Sequence, residues 1–203
     1  MTAPATLSAV SAGNPAGFPR SARAGGWLVL AGFFCLGQLV ARGAEEPVSK
    51  EYQLKAAYLY NFTKFVEWPA PRFADELSPL IIGVLGRNPF GDELDKIVRG
   101  RTVNGRAIRV LVITTTEEMR TAHVLFVPAG EETRPEFAAA VVQHLALLTA
   151  GESGAFTHGG GVITFTQADD KLRFTINLTS AERAGLKISA QLLKLATAVE
   201  RQP

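Results

Sequence analysis

The chain has 203 residues, 47% hydrophobic and 20% charged, which fits one globular domain with an appendage and excludes an acidic or low-complexity disordered chain. Its net charge of +2 is unevenly spread: residues 1–43 hold Arg20, Arg23 and Arg42 and no acids, so 18 of the 21 basic residues meet all 19 acidic ones in the remainder. That near-neutral body has no electrostatic footprint of a nucleic-acid binder, while one cysteine (Cys35) and three scattered histidines exclude a disulfide framework and give no metal-ligand spacing.

The first segment is a leader. Arg20 and Arg23 precede an uncharged apolar run, Trp27 to Ala41, followed by Ala41-Arg42-Gly43 and then Glu45-Glu46. A basic flank, a short apolar core and a small-x-small site predict a cleavable secretory signal over 1–43, with the mature domain at 44–203 exported to an oxidising compartment. An uncleaved anchor is the alternative, and the run falls short of the ~20 apolar residues a span needs. Lipid attachment at Cys35 is disfavoured by Phe33-Phe34 just before it.

In the mature chain, the spacing of Leu54, Ala57, Tyr58, Phe62 and Phe65 predicts a helix over 49–65, ended by Trp68-Pro69 and Pro71. Pro79–Leu85 reads as a strand buried on both faces. Asn88-Pro89 then predicts a helix start, with the helix reaching Val98. Asn104-Gly105 marks a tight turn into a second strand, 107–113. A short helix at 115–120, a strand at 123–127 and a helix at 135–142 follow. Residues 145–149 are ambiguous between helix and strand. After the glycine-rich stretch 151–161, Val162–Thr166 and Leu172–Leu178 predict a hairpin, and Ser189–Glu200 a final helix. Alternating buried strands and helices imply one three-layer α/β/α domain. Its sheet is mixed and mostly parallel, with about five or six strands and a late antiparallel hairpin.

Motifs that would carry chemistry are incomplete. Gly86-Arg87-Asn88-Pro89-Phe90-Gly91 sits where phosphate loops occur, but Asp92-Glu93 stands in place of the needed Lys-Ser/Thr. Gly151-Glu152-Ser153-Gly154-Ala155 only half-matches a nucleophile elbow, with His158 five residues beyond Ser153, so a secreted serine hydrolase is the weakest reading. His123 and His144 lie among apolar residues and read as structural. The paired carboxylates Asp92/Glu93, Glu117/Glu118, Glu131/Glu132 and Asp169/Asp170 fall at helix starts and turns, where they satisfy backbone donors. No catalytic, metal or cofactor residue is assigned. One polar pattern stands out: Arg173, Thr175 and Asn177 take one face of the second hairpin strand, and Lys187 and Ser189 alternate with Leu186 and Ile188. These five form either an ordinary solvated face or a donor-rich surface for a small ligand or protein partner.

Five ordered blocks give the chain a resemblance to the YfiR family of secreted bacterial regulators: Lys55–Pro69 (KAAYLYNFTKFVEWP), His123–Val127, Gly160–Phe165, Arg173–Leu178, and Gly185–Ser189 leading into Leu192–Ala196. The resemblance implies a periplasmic, non-enzymatic protein that binds the periplasmic part of a membrane diguanylate cyclase, or of another membrane sensor, and represses it. A homodimer is compatible with it. A small-molecule binding module without a cyclase partner is the alternative function. Ala122 stands where the family often has cysteine, and the glycine-rich stretch has none, so disulfide-based redox control does not carry over. Thr175 replaces the glutamate of the family's Phe-Glu-Ile-Asn, which removes a charge from the polar face.

Overall fold

The computed structural model describes residues 48–201 except His144. The expected leader and cleavage site, Cys35 and His144 therefore lie outside the described residues.

Thirteen residues, Lys50–Phe62, form the first helix, α1, and Ser49 caps it by accepting the Tyr52 amide hydrogen at 3.3 Å. Two residues, Val66–Glu67, make strand β1, and a 3-10 turn follows at Ala70–Arg72. Next come β2 (Leu80–Leu85), α2 (Glu93–Val98), β3 (Thr102–Val103), β4 (Arg106–Ile113), α3 (Thr116–Thr121), β5 (Val124–Val127), α4 (Pro135–Val142) and β6 (Leu148–Gly151). The chain ends with α5 (Gly154–His158), β7 (Ile163–Ala168), β8 (Lys171–Asn177), α6 (Leu178–Arg183), β9 (Lys187–Ile188), α7 (Ala190–Leu195) and β10 (Ala198–Glu200).

Eight strands form one sheet in the order β10-β8-β7-β6-β5-β2-β4-β3, while β1 and β9 pair separately. Only β3–β4 and β7–β8 pair antiparallel in the large sheet. The expected mixed, mostly parallel α/β sheet is present, with more strands than the five or six anticipated. Alternate residues of the central strands feed two cores. Ile82, Val84, Val124, Phe126, Leu148 and Ala150 pack with α1, α2 and α7, whereas Leu85, Leu125 and Val127 pack with α3, α4 and α5. That period-two partition explains the continuous apolar runs of β2 and β5.

Two expectations are corrected. The final helix stops at Leu195, and Ala198–Glu200 instead pairs parallel with Thr175–Asn177. The Thr197 amide donates to the Phe174 carbonyl at 2.9 Å, so the open edge of β8 overrides the helical spacing. The helix expected from Pro89 begins at Glu93, because the Asn88 side chain closes a turn by accepting from Phe90 N and donating to Gly91 O, both at 2.9 Å. Of residues 145–149, ambiguous between helix and strand, Leu148 and Thr149 open strand β6. The hairpin turn carries Asp169 and Asp170 at φ 52° and 56°, the conformation of a type I′ turn.

The glycine-rich stretch is a packing device. Fully buried Phe156 lies so close to Gly151 and Gly161 that a Cβ there would sit 2.3 Å and 2.1 Å from its ring. Alanine at Gly161 is therefore expected to cost roughly 1–3 kcal/mol by overpacking, read as a shifted denaturation midpoint.

Candidate functional site

α1 turns Tyr52, Lys55, Ala56, Leu59 and Phe62 inward at three- and four-residue spacing, so a lysine lands on the core face. Lys55 is 3% exposed. Its ammonium pairs with Glu51 one turn earlier and with Glu152, just after β6. It also lies 4.6 Å from the Tyr52 ring centroid. The Glu152 carboxylate accepts the Tyr52 hydroxyl at 3.0 Å and the Ala129 amide at 2.9 Å. Burial and the neighbouring Glu152 charge push the Tyr52 phenol up to about 12. The cluster ties α1 to the C-terminal ends of β5 and β6, the side of an open parallel sheet where ligands usually bind.

Beside it opens a polar cavity of about 580 Å³, with Glu51, Lys55, Glu152, Thr164, Thr175 and Glu200 in its wall. Thr164 pairs with Thr175 across the hairpin, and its hydroxyl lies 2.9 Å from that of Thr157. The arrangement presents hydroxyls and carboxylates around an ammonium that is already neutralised. It can hold a polar group by hydrogen bonds.

The five residues expected to form one surface are divided. Arg173 is exposed on β8 and shares a face with Thr175, which is half-buried at the cavity. Asn177 is buried and caps α6, accepting the Ser180 amide hydrogen at 3.1 Å. Lys187 pairs in register with Glu67 in the small sheet, and Ser189 caps α7 by accepting from Leu192 N at 3.2 Å. The structure thus brings together Arg173 and Thr175, and gives Asn177 and Ser189 capping roles.

The weaker motifs resolve into structure. Ser153 caps α5 by accepting the Phe156 amide hydrogen at 3.0 Å, and His158 Nδ1 lies 2.6 Å from Gly154 O. The Glu131 carboxylate fills the space over Gly86, where a phosphate loop would need its anion.

A second cluster lies at the opposite end of the sheet. His123 is 4% exposed, and its Nδ1 accepts the Ile81 amide hydrogen at 3.1 Å. The proton of the neutral ring is then on Nε2, which has no hydrogen-bond partner among the described residues. Phe73 stacks on the imidazole at 4.5 Å, Trp68 Nε1 donates to His123 O at 3.0 Å, and Arg72 donates to Ala122 O and Ala146 O. Burial, then the Arg72 charge, lowers the His123 pKa to about 4. The unfolded chain, with an ordinary histidine near 6.5, takes up the proton first as pH falls. Stability is therefore expected to drop by roughly 2–3 kcal/mol between pH 6.5 and 4 from this residue. Urea titrations at both ends of that window should show this extra loss in wild type and not in His123→Gln.

Neither Lys55–Glu152 nor the Trp68–Arg72–His123 cluster was assigned from sequence. Lys55 at the inward spacing of Tyr52, Leu59 and Phe62 was the available signal. The partner of a buried lysine, 97 residues away, had none.

The fold and these two clusters define a single α/β domain with a parallel-sheet core and a polar cavity at its C-terminal edge. The profile of the YfiR/HmsC-like family matches residues 52–197, and the chain belongs to that family. No curated protein matches it. Among solved structures it is similar to the ABC domain in complex with L-Trp from Streptococcus pneumoniae, at 14% identity and a TM-score of 0.43, over 70% of this chain. The chain spans 59% of the length of that structure. Among the described residues no helix is long and apolar enough to cross a membrane.

Proposed function

We propose that the protein is a secreted periplasmic regulator that binds the periplasmic part of a membrane diguanylate cyclase and holds it inactive. The observation that carries this reading is family membership over residues 52–197, which takes in every strand of the large sheet except the last. The chemistry of the site supports it. The buried ammonium of Lys55 is spent on two carboxylates, and Ser153 and His158 bond to their own helix rather than to each other. Such groups rigidify a scaffold for recognition.

Two assays test it. Expression beside the cyclase encoded nearest to it should lower cellular cyclic-di-GMP, and the mature chain, beginning near Ala44, should be recovered in the periplasm and retain the cyclase's periplasmic part. Unchanged cyclic-di-GMP with a soluble, folded regulator would sink the reading. Arg173→Ala is expected to weaken that retention while leaving the thermal midpoint unchanged, since an exposed guanidinium supplies bidentate recognition of acidic groups at little cost to folding. Retention equal to wild type would move the partner surface off this face. The second reading, a small-molecule binding module, is favoured by the cavity bearing Thr164 and Thr175.

A further inference from the structure

We propose that the polar cavity beside α1 is a binding site for an aliphatic diamine, held through its two ammonium groups. Such a site rests on the small-molecule reading, to which it gives a ligand class, and is independent of cyclase repression. The cavity wall carries Glu51, Glu152 and Glu200 but a single cation, Lys55, so its net charge at pH 7 is −2. Lys55 is already held by Glu51 and Glu152. Glu200 pairs with no cation among the described residues, its neighbour Arg201 reaching Glu182. Arg173, two residues from Thr175, is exposed and does not line the space. A volume of about 580 Å³ is ordinary for a small-molecule site. Glu152, with 7% of its side chain exposed, acts on a bound cation with little screening by water.

The direction of the hydrogen bonds selects the ligand. The Thr157 hydroxyl spends its one hydrogen on the Ser153 carbonyl at 3.2 Å. The 2.9 Å contact between Thr157 and Thr164 therefore runs from Thr164 to Thr157. Thr164, only 8% exposed, is left at the cavity wall with lone pairs and no hydrogen to give. The Gln167 amide is likewise committed, donating to Glu51 at 3.0 Å. Thr166 and Thr175 can serve either way, so the wall is dominated by acceptors, Thr164 and the carboxylates. An ammonium is the matching group, with three donors and no acceptor. A carboxylate brings no donor, and an alcohol brings one without charge. The acids stand on separate elements, Glu51 on α1 and Glu200 on β10, which suits two ammonium groups rather than one. Phe165 and Leu172 also line the space and offer apolar surface to a methylene linker.

Calorimetric titration of the full chain with putrescine should show saturable binding about tenfold or more tighter than butylamine, which offers one ammonium. γ-Aminobutyrate and 1,4-butanediol, which keep the four-carbon chain but replace one or both ammonium groups, should bind more weakly still. Glu200→Gln and Thr164→Val should each weaken putrescine about tenfold or more. The thermal midpoint of Glu200→Gln should stay unchanged, so that variant decides the matter if Thr164→Val fails to fold. Glu117→Gln, whose side chain is 88% exposed on α3, should bind putrescine like wild type. Butanediol or γ-aminobutyrate binding as tightly as putrescine would overturn the diamine and leave the small-molecule reading standing. No heat from putrescine at millimolar concentration, affinity indifferent to Glu200→Gln, or an equal loss in Glu117→Gln would each overturn the proposal.

Discussion

Glu152→Ala is expected to destabilise the fold by roughly 3–5 kcal/mol, the usual cost of removing one member of a buried ion pair. The loss is larger than that of a simple contact because three groups depend on this carboxylate: the Lys55 ammonium, the Tyr52 hydroxyl and the Ala129 amide. Lys55 would keep only Glu51, which is itself 39% exposed and screened by water. Lys55→Met should cost less, since Glu152 would retain its hydroxyl and amide donors, and a methionine suits the apolar surroundings of α1. The double variant Lys55→Met/Glu152→Ala is therefore expected to be more stable than the sum of the single losses predicts. Denaturant midpoints measure all three. An independent readout is Tyr52, whose phenol ionises at about 12 in the wild type and should move back toward 10 in Glu152→Ala. A midpoint within 1 kcal/mol of wild type and an unmoved phenol would show that water replaces the carboxylate.

How far the sequence carried this structure depended on whether the cause was local. The apolar runs of β2 and β5, the Asn104-Gly105 turn and the short helix expected at 115–120 are short-range signals, and each appears within a residue of where the pattern puts it. The end of the chain failed for the opposite reason. Leu192, Leu193, Ala196 and Val199 do align at helical spacing, but Val199 is claimed by Ile176 of β8, an interaction no local window contains. The candidate surface failed in the same way. Asn177 and Ser189 were read by side-chain alternation as strand residues facing outward, whereas each ends an extended segment and caps the following helix. Both are good N-cap residues, so the signal was present and lost to the assumed strand period. The pairing of Lys55 with Glu152 depends on which strand ends lie beside α1, and that is fixed only by the sheet order.

Phe174→Ala is expected to cost roughly 3–5 kcal/mol, and its neighbour Arg173→Ala almost nothing. Phe174 is 3% exposed and meets Phe62 edge-on at 5.1 Å and Tyr58 at 5.6 Å, while Phe165 faces it across the hairpin. Truncation removes these aromatic contacts together and enlarges an apolar cavity of about 280 Å³ bounded by Tyr58, Phe62, Phe174, Leu192 and Leu195. The cavity term adds to the transfer term because α1 and α7 are held by other contacts and cannot collapse into the space. A local consequence follows from the backbone. Phe174 O accepts the Thr197 amide, the bond that starts β10, so a β8 loosened at residue 174 should release that short edge first. Hydrogen exchange should then show the Thr197 amide losing protection more than the amides of β5, alongside a lowered global midpoint. Equal loss at both places would mean that β10 unfolds only with the whole sheet, and a midpoint unchanged by Phe174→Ala would mean that the aromatic cluster of α1 and the hairpin does not hold this side of the core.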